Sequence, residues 1–373
     1  MKTNKISKYS LSISYIIILL ISACKKEETL TPTSPASQNP NNTNNTSDTT
    51  FIIDIKANGE NCFYLTNKGT VFFATPTFSS NGTIITHHRI KGLSHIKKIA
   101  AAQYSTNTDN YEGMALDSSG TMFVWNVDPT VGCDSAITSP YMSDLGGNLI
   151  IDIAAGGSES GSYFVLDNNG DVWGWGDNSK YQMGNGTITY QLLPTMIGIP
   201  KGNVPATQLS AGTMQAIAST NSGLVYQWGT ISFQTNEVYT LPANIASLSN
   251  INKIHAGDNY NLAFNSVTSK LYIWGHVTNG YIPDITNPKA FSAGAETYFN
   301  PMYILNDGTL MQTGFDMGTG NPTAAEVVPS LAAYKFNLLA LSRRAFFVTN
   351  TGKLLVETSS GTTPYEVYNP FSE

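Results

Sequence analysis

Charged side chains are scarce in this chain, and basic ones are the scarcer kind. Only 12% of the 373 residues are Asp, Glu, Lys or Arg, with 20 basic against 26 acidic residues. Nucleic-acid binding depends on Lys and Arg neutralising phosphates, so this composition argues against a nucleic-acid partner and against other anionic polymers.

Cysteines, histidines and catalytic motifs are also few. The chain has three cysteines, Cys24, Cys62 and Cys133, and five scattered histidines. Export would permit a bridge between Cys62 and Cys133, but two cysteines do not make a disulfide framework. No nucleophile elbow, phosphate loop, HExxH-type zinc motif or CxxC pair is present. We therefore predict a protein that is not an enzyme, without catalytic residues, cofactor or metal; an acid–base pair assembled from distant segments stays an open alternative.

The N-terminal 23 residues have the order of a signal peptide. Lysines come first, an apolar run from Leu11 to Ile21 follows, and Ile21-Ser22-Ala23-Cys24 ends the segment. Such a run is too short to span a bilayer and suits a secretory signal. The last four residues resemble the lipobox of bacterial lipoproteins, in which the cysteine becomes the acylated N-terminus. That resemblance implies lipidation at Cys24; an ordinary secretory signal is the alternative.

Residues 24–50 are predicted to be a disordered tether, since they are rich in Ser, Thr, Asn and Pro and almost free of apolar residues. The stretch Lys25-Lys26-Glu27-Glu28 resembles the tag of surface-exported lipoproteins. It implies an outer-membrane protein that faces the cell exterior and meets the membrane through its lipid anchor only; attachment facing the periplasm is the alternative. Removing residues 1–23 with three lysines lowers the formal net charge from −6 to −9.

Residues 51–373 contain a repeat, and its clearest feature is a short turn. The turns end at Gly69, Gly120, Gly170, Gly223, Ser269, Gly308 and Gly352. We interpret them as three-residue hairpin loops, in which the last residue adopts a positive φ and is therefore usually glycine. Successive turns lie 39 to 53 residues apart, and the flanking residues are β-branched and aromatic. A period near 47 in an all-strand chain predicts propeller blades.

Two further positions recur with the turns. Five residues after each turn stand Ala74, Trp125, Trp175, Trp228, Trp274, Thr313 and Glu357, so four of the five tryptophans share one position. We expect the tryptophan to fill the wedge between adjacent blades. Before each turn stands a pair of small residues: Ala101-Ala102, Ala155-Gly156, Ala211-Gly212, Ala256-Gly257, Ala293-Gly294 and, as weaker counterparts, Ala57-Asn58 and Ala340-Leu341. We expect these pairs where strands converge on a central channel.

The third unit contains the fullest form of the repeat. It reads Ala155-Gly156-Gly157, Asn169-Gly170, Trp175-Gly176-Asp177-Asn178 and Tyr181-Gln182-Met183-Gly184-Asn185-Gly186. This pattern resembles the regulator of chromosome condensation family. The resemblance implies an all-β, seven-bladed β-propeller over residues 51–373, with six or eight blades as alternatives, and implies protein recognition, since related propellers act as exchange factors, scaffolds and a β-lactamase inhibitor.

The third unit also carries Asp167, Asn169 and Asp171, at the alternate spacing of a calcium loop. Equivalent turns begin with Thr66, Thr220 or Thr349, and Asn178 stands where a bidentate glutamate would be needed. The hairpin interpretation is therefore favoured.

Loops on one propeller face are the expected binding surface, because the blades hold such loops rigidly around the axis. The candidate binding residues follow the small-residue pairs: Tyr104, Tyr111, Glu159, Tyr260, Tyr298, Phe299 and Arg343. We predict that the aromatic members are exposed around one mouth of the channel. Aromatics with a polar rim suit a protein partner or stacking on sugar rings. We predict a monomeric, surface-anchored module that binds a protein; a glycan-binding or glycan-processing component of an outer-membrane system is the alternative.

Overall fold

The computed structural model describes residues 50–79, 82–102, 111–127, 135–139, 145–157, 160–200, 205–232, 237–258, 260–275, 279–282, 285, 287–294, 301–314, 322–342, 344–357 and 365–368. They form seven sheets of four strands, and the four strands of each sheet are consecutive in the chain. Each sheet is antiparallel throughout and forms one blade of a β-propeller. The prediction of seven blades is confirmed, and six or eight blades are excluded. Over the described ranges, no helix has the length and apolar character needed to cross a membrane.

Strands β1 to β28 follow the chain, four to a blade. Blades one to three comprise Ile52–Asn58, Asn61–Thr66, Val71–Ser79 and Gly82–Arg89; Ile96–Ala101, Tyr111–Asp117, Met122–Val127 and Ile137–Thr138; and Ile150–Gly156, Ser162–Asp167, Val172–Gly176 and Gln191–Ile197. Blades four and five comprise Ala206–Ala211, Gln215–Thr220, Val225–Ser232 and Glu237–Asn244; and Ile251–Ala256, Tyr260–Asn265, Lys270–Gly275 and Asn279–Ile282. Blades six and seven comprise Ala290–Ser292, Met302–Ile304, Leu310–Gln312 and Glu326–Val327; and Phe336–Leu341, Ala345–Thr349, Leu354–Glu357 and Tyr365–Tyr368.

The predicted turns join the second strand of each blade to the third. All seven turn-ending residues have positive φ, from +53° at Ser269 to +87° at Gly120. The residue that opens the turn accepts backbone amides through its side chain. In blade three, Asp167 Oδ1 accepts the amides of Asn169 and Asp171, each at 2.9 Å. Thr220 Oγ1 accepts the amide of Leu224 in the same way in blade four, at 3.1 Å. This shared acceptor role explains why Asp and Thr both occur at this position.

The hydrophobic core consists of seven clusters, each built from two adjacent blades. Trp125, Trp175, Trp228 and Trp274 each lie in a cluster with side chains of the preceding blade. Trp228 is 0% exposed and meets the ring of Phe164 in blade three edge-on, with centroids 6.2 Å apart. The predicted inter-blade wedge is therefore confirmed. One cluster joins Ile55 and Cys62 of blade one to Phe346 and Val356 of blade seven, which closes the ring.

Candidate interaction face and central channel

The first strand of each blade lies innermost, and all seven first strands line one cavity of about 360 Å³ on the axis. Their small-residue pairs meet where the strands end. A Cβ atom on Gly156 would lie 1.9 Å from the carbonyl oxygen of Gly212, and one on Gly212 would lie 1.9 Å from that of Gly257. At these two positions only glycine allows the innermost strands to approach so closely, as the small-residue pairs predicted. We call this side of the propeller the glycine face.

Serine side chains on, or directly after, the innermost strands connect three pairs of adjacent blades. Ser210 Oγ accepts the amide of Ala256 at 2.8 Å, and Ser292 Oγ accepts the amide of Leu341 at 3.1 Å. Between blades seven and one, Ser342 Oγ accepts the amide of Gly59 at 3.1 Å. These bonds satisfy amides on strand edges that would otherwise face the channel.

In blade seven, the small-residue pair lies one residue later than predicted. Leu341 receives the same serine contact as Ala256. Ser342 donates its amide to Arg344 as Gly257 does to Tyr260. Leu341-Ser342, and not Ala340-Leu341, is therefore the counterpart of the alanine–glycine pair.

Two of the candidate binding residues can be placed on the glycine face, and five lie outside the described residues: Tyr104, Glu159, Tyr298, Phe299 and Arg343. Tyr111 is half-buried, and its ring lies 5.0 Å from that of Phe73 in the neighbouring blade. Tyr260 is only 3% exposed, so the prediction that it is an exposed aromatic is wrong. It opens β18 and packs among Phe291 and Tyr303 of blade six, where burial raises the pKa of its hydroxyl. The aromatic residue completes an inter-blade cluster instead of facing solvent.

A clasp of polar groups follows β11 on the glycine face and fastens blade three to blade four. Asn178 Oδ1 accepts the amide of Met183 at 2.9 Å, and Gln182 Nε2 donates to Asp177 Oδ2 at 3.1 Å. The loop then meets blade four through Trp228 Nε1, which donates to the main-chain oxygen of Gln182 at 2.6 Å. The loop is thus fixed by hydrogen bonds between its own residues and by one hydrogen bond from blade four.

An apolar surface lies beside this clasp, on the outer strands of blades three and four and on the loop that precedes β12. We call it the blade 3–4 rim; its large exposed side chains are Ile188, Leu192, Leu193, Met196, Val238 and Leu241. Leu193 is 60% exposed and Leu241 is 59% exposed. The Gly186 amide donates to Thr240 O at 2.9 Å, which brings the two halves of the rim together.

Charged side chains are scarce in the two chain segments of the rim, where Glu237, the first residue of β16, is the exception. Residues 185–200 and 238–252 contain no Asp, Glu, Lys, Arg or His. Hydrophobicity alone does not reveal this surface, because apolar residues in strands are more often core residues. The repeated Leu-Pro dipeptide, Leu193-Pro194 and Leu241-Pro242, was the available signal, since proline in a strand marks an outer edge.

The central channel carries charged side chains from the innermost strands among its many apolar lining residues. Equivalent positions, each directly after a β-bulge, hold Asp54, Lys98, Asp152, Gln208 and Lys253. Lys56 Nζ lies 2.8 Å from Asp54 Oδ1, and Lys98 is paired with the buried carboxylate of Asp152.

His255 lies on the channel wall with its Nε2 3.3 Å from Ser292 Oγ. Burial, and then the charge of Lys56, lower the pKa of His255 to about 4. The imidazole is therefore neutral at pH 7 and a poor proton acceptor. Since Ser292 Oγ is already occupied by the Leu341 amide, this pair resembles a structural contact more than a nucleophile and its base.

The cysteine that the structure describes, Cys62, has a structural role. Cys62 is fully buried in the cluster between blades seven and one, and burial raises the pKa of its thiol. Cys133 lies outside the described residues. Among the residues that the structure does describe, no three His, Cys, Asp or Glu side chains are grouped to hold a metal ion.

Comparisons with known proteins agree with this architecture. Residues 169–219 match the Regulator of chromosome condensation (RCC1) repeat. The human E3 ubiquitin-protein ligase HERC2 is 26% identical over 247 residues, which are 60% of this chain and 5% of the ligase. Protein pim1 of Schizosaccharomyces pombe is 24% identical over 204 residues, 48% of this chain and 37% of that protein. The chain thus spans only a small part of one relative and about a third of the other.

Solved structures give the same fold. Prp20p from Saccharomyces cerevisiae aligns with a TM-score of 0.58 at 15% identity, covering 79% of this chain and 82% of that one. A structure of Kap60 bound to yeast RCC1 (Prp20) aligns with a TM-score of 0.59 at 15% identity, covering 88% and 86%. The chain is a seven-bladed β-propeller, and its repeat match and relatives support a place among the propellers of the regulator of chromosome condensation type.

Proposed function

We propose that this protein is a non-catalytic module that binds another protein through the blade 3–4 rim and the adjoining glycine face. The observation that carries the proposal is the exposed apolar rim. Soluble proteins rarely expose contiguous apolar patches without a partner. An RCC1-like propeller is in general a suitable scaffold for protein binding, because its blades present loops and edges rigidly.

The chemistry of the rim defines the partner surface. Because residues 185–200 and 238–252 carry no charge, while the chain as a whole is acidic, the partner would offer an uncharged, apolar surface. Pro194 and Pro242 lack an amide hydrogen, so the outer strands are poorly suited to pairing with another strand. Side-chain contacts at Leu193 and Leu241 would therefore supply the affinity.

The clasp favours binding because it holds the rim in one conformation. Asn178 Nδ2 donates to the main-chain oxygens of Thr187 and Thr189, which fixes the loop on both sides of Ile188, and the bond from Trp228 fixes the loop to blade four. A surface ordered in advance loses less conformational entropy when it binds.

We further propose that the module is attached to the outer membrane through lipidated Cys24 and faces the cell exterior. The order of basic, apolar and small residues before Cys24 supports this location. The tether of residues 24–50 would separate the propeller from the membrane surface. Attachment facing the periplasm is compatible with the same anchor.

A glycan-binding role gains no support from Tyr111 and Tyr260, the two candidate aromatic residues that the structure describes. Stacking on sugar needs an exposed ring, whereas Tyr260 is buried and Tyr111 is half-buried against Phe73. We therefore propose protein recognition alone.

The test compares the full-length protein with a rim variant, Leu193→Ser with Leu241→Ser, in affinity capture from native membranes. The matched control is Val267→Ser, because Val267 is an exposed apolar residue on a turn of blade five, distant in sequence from the rim. We expect a specific protein to be retained by the wild type and the control and lost with the rim variant, while thermal stability is unchanged. Equal capture by all three proteins would refute the rim as the binding surface.

A further inference from the structure

The central channel has more positive than negative charge, although the protein as a whole is acidic. Among the residues that the structure describes, the charged side chains that line the cavity are Lys56, Lys98, Lys253 and Asp54. Asp152 lies behind the wall, buried, and pairs with Lys98. Even with Asp152 included, three ammonium groups meet two carboxylates.

Lys253 carries the excess charge. Its Nζ donates to the main-chain oxygen of Pro288 at 2.6 Å and lies 3.4 Å from Asn287 Oδ1, and both acceptors are neutral. Desolvation lowers the pKa of this ammonium group. A partly desolvated cation whose described partners are neutral groups attracts an anion from solvent.

Three further groups belong to the same part of the wall: His255, Lys56 and Ser210. His255 lies two residues beyond Lys253 on β17, with no register shift between them, so both side chains are on the same face of the strand. The positive charge of Lys56, from blade one, helps to lower the pKa of His255. Ser210 Oγ accepts the Ala256 amide, which leaves its hydroxyl proton available to a ligand.

We propose that the central channel binds a small organic carboxylate, held between Lys56 and Lys253 beside His255 and Ser210. The cavity volume of about 360 Å³ admits a small dicarboxylate but not a polymer. The site is separate from the blade 3–4 rim, and the two proposals stand or fall independently.

Succinate is a suitable probe, and the full-length protein is titrated with it by calorimetry and by NMR of the His255 imidazole. We expect saturable binding at one site and a rise in the pKa of His255, because the bound carboxylate offsets the charge of Lys56. Lys253→Gln and Lys56→Gln should each weaken succinate binding by tenfold or more.

Lys97→Gln is the matched control. Lys97 is exposed on β5 and does not line the cavity, so the variant changes the net charge equally and should bind as the wild type does. Lys253→Arg retains the charge and should retain binding, which separates loss of the cation from loss of the fold.

Three results would overturn the proposal. The first is a titration that does not saturate. The second is equal weakening by Lys97→Gln and Lys253→Gln, which would indicate a general charge effect. The third is saturable binding that leaves the signals of His255 unchanged, which would place succinate elsewhere.

Discussion

Trp228 in blade four reaches into blade three, where its indole Nε1 donates a 2.6 Å hydrogen bond to the main-chain oxygen of Gln182. The same ring packs edge-on against Phe164. One side chain thus supplies both an apolar and a polar contact between the two blades. The clasp beside the rim depends on both contacts.

Replacing Trp228 should therefore destabilise the propeller strongly. We expect Trp228→Ala to lower the free energy of unfolding by about 3–5 kcal/mol, as for other buried aromatic residues. Trp228→Phe keeps an aromatic ring and loses the hydrogen bond, so its loss should be smaller. Denaturant unfolding measures both. Trp173→Ala serves as control, because Trp173 is only half-buried; a loss at Trp228 no larger than this control would contradict the wedge.

The turn glycines should differ in their tolerance of alanine. Gly223 and Gly352 both have positive φ, at +76° and +85°, so alanine should cost about 1–2 kcal/mol at either position. A Cβ on Gly223 would also lie 2.6 Å from Asn250 Cα, whereas a Cβ on Gly352 would meet nothing within 4 Å. Gly223→Ala should therefore lower the thermal midpoint clearly more than Gly352→Ala. Equal shifts would mean that the contact between blades relaxes freely.

His255 should make stability sensitive to mild acid. Its pKa is about 4 in the folded protein against an ordinary value of 6.5, so the unfolded chain binds the proton more readily. The contribution of His255 is complete above about pH 6.5 and is lost as pH falls towards 4. Carboxylates with lowered pKa, such as Asp307 beside Thr309 and Lys335, add their own loss at lower pH.

The measurement is denaturant unfolding at several pH values between 7 and 4. We expect His255→Gln to show a shallower fall in stability than the wild type over this interval, whatever its stability at pH 7. Parallel curves for the two proteins would contradict the assigned role of His255.

Lipidation of Cys24 is open to direct measurement. We expect mass spectrometry of the membrane-extracted protein to find Cys24 as the acylated first residue. Cys24→Ala should abolish acylation and release the propeller from the membrane fraction. An unmodified Cys24, or cleavage at another bond, would rule out the lipoprotein prediction.

The number of blades could be predicted because each blade contains a turn whose last residue must adopt a positive φ, which few residue types do readily. Positive φ selects glycine, and Ser269 could be assigned by its distance from Trp274. Leu341-Ser342 was misassigned because that position is defined by backbone hydrogen bonds rather than by residue type.

The candidate site was harder to predict for a different reason. A tyrosine after an alanine–glycine pair can face solvent or the next blade, and sequence does not distinguish the two. Tyr260 faces the next blade. The exposure of Leu193 and Leu241 likewise depends on their place on the outermost strands, which hydrophobicity alone does not reveal.

The contact between Ser342 and Gly59 joins the last blade to be synthesised to the first. The two residues are 283 positions apart, and each described blade is complete within its own stretch of chain. The apolar side of blade one that packs on blade seven therefore stays uncovered until almost the whole chain has been made. Whatever the order in which the blades form, the ring cannot close before the last blade is synthesised, so a partly made propeller keeps one apolar flank exposed.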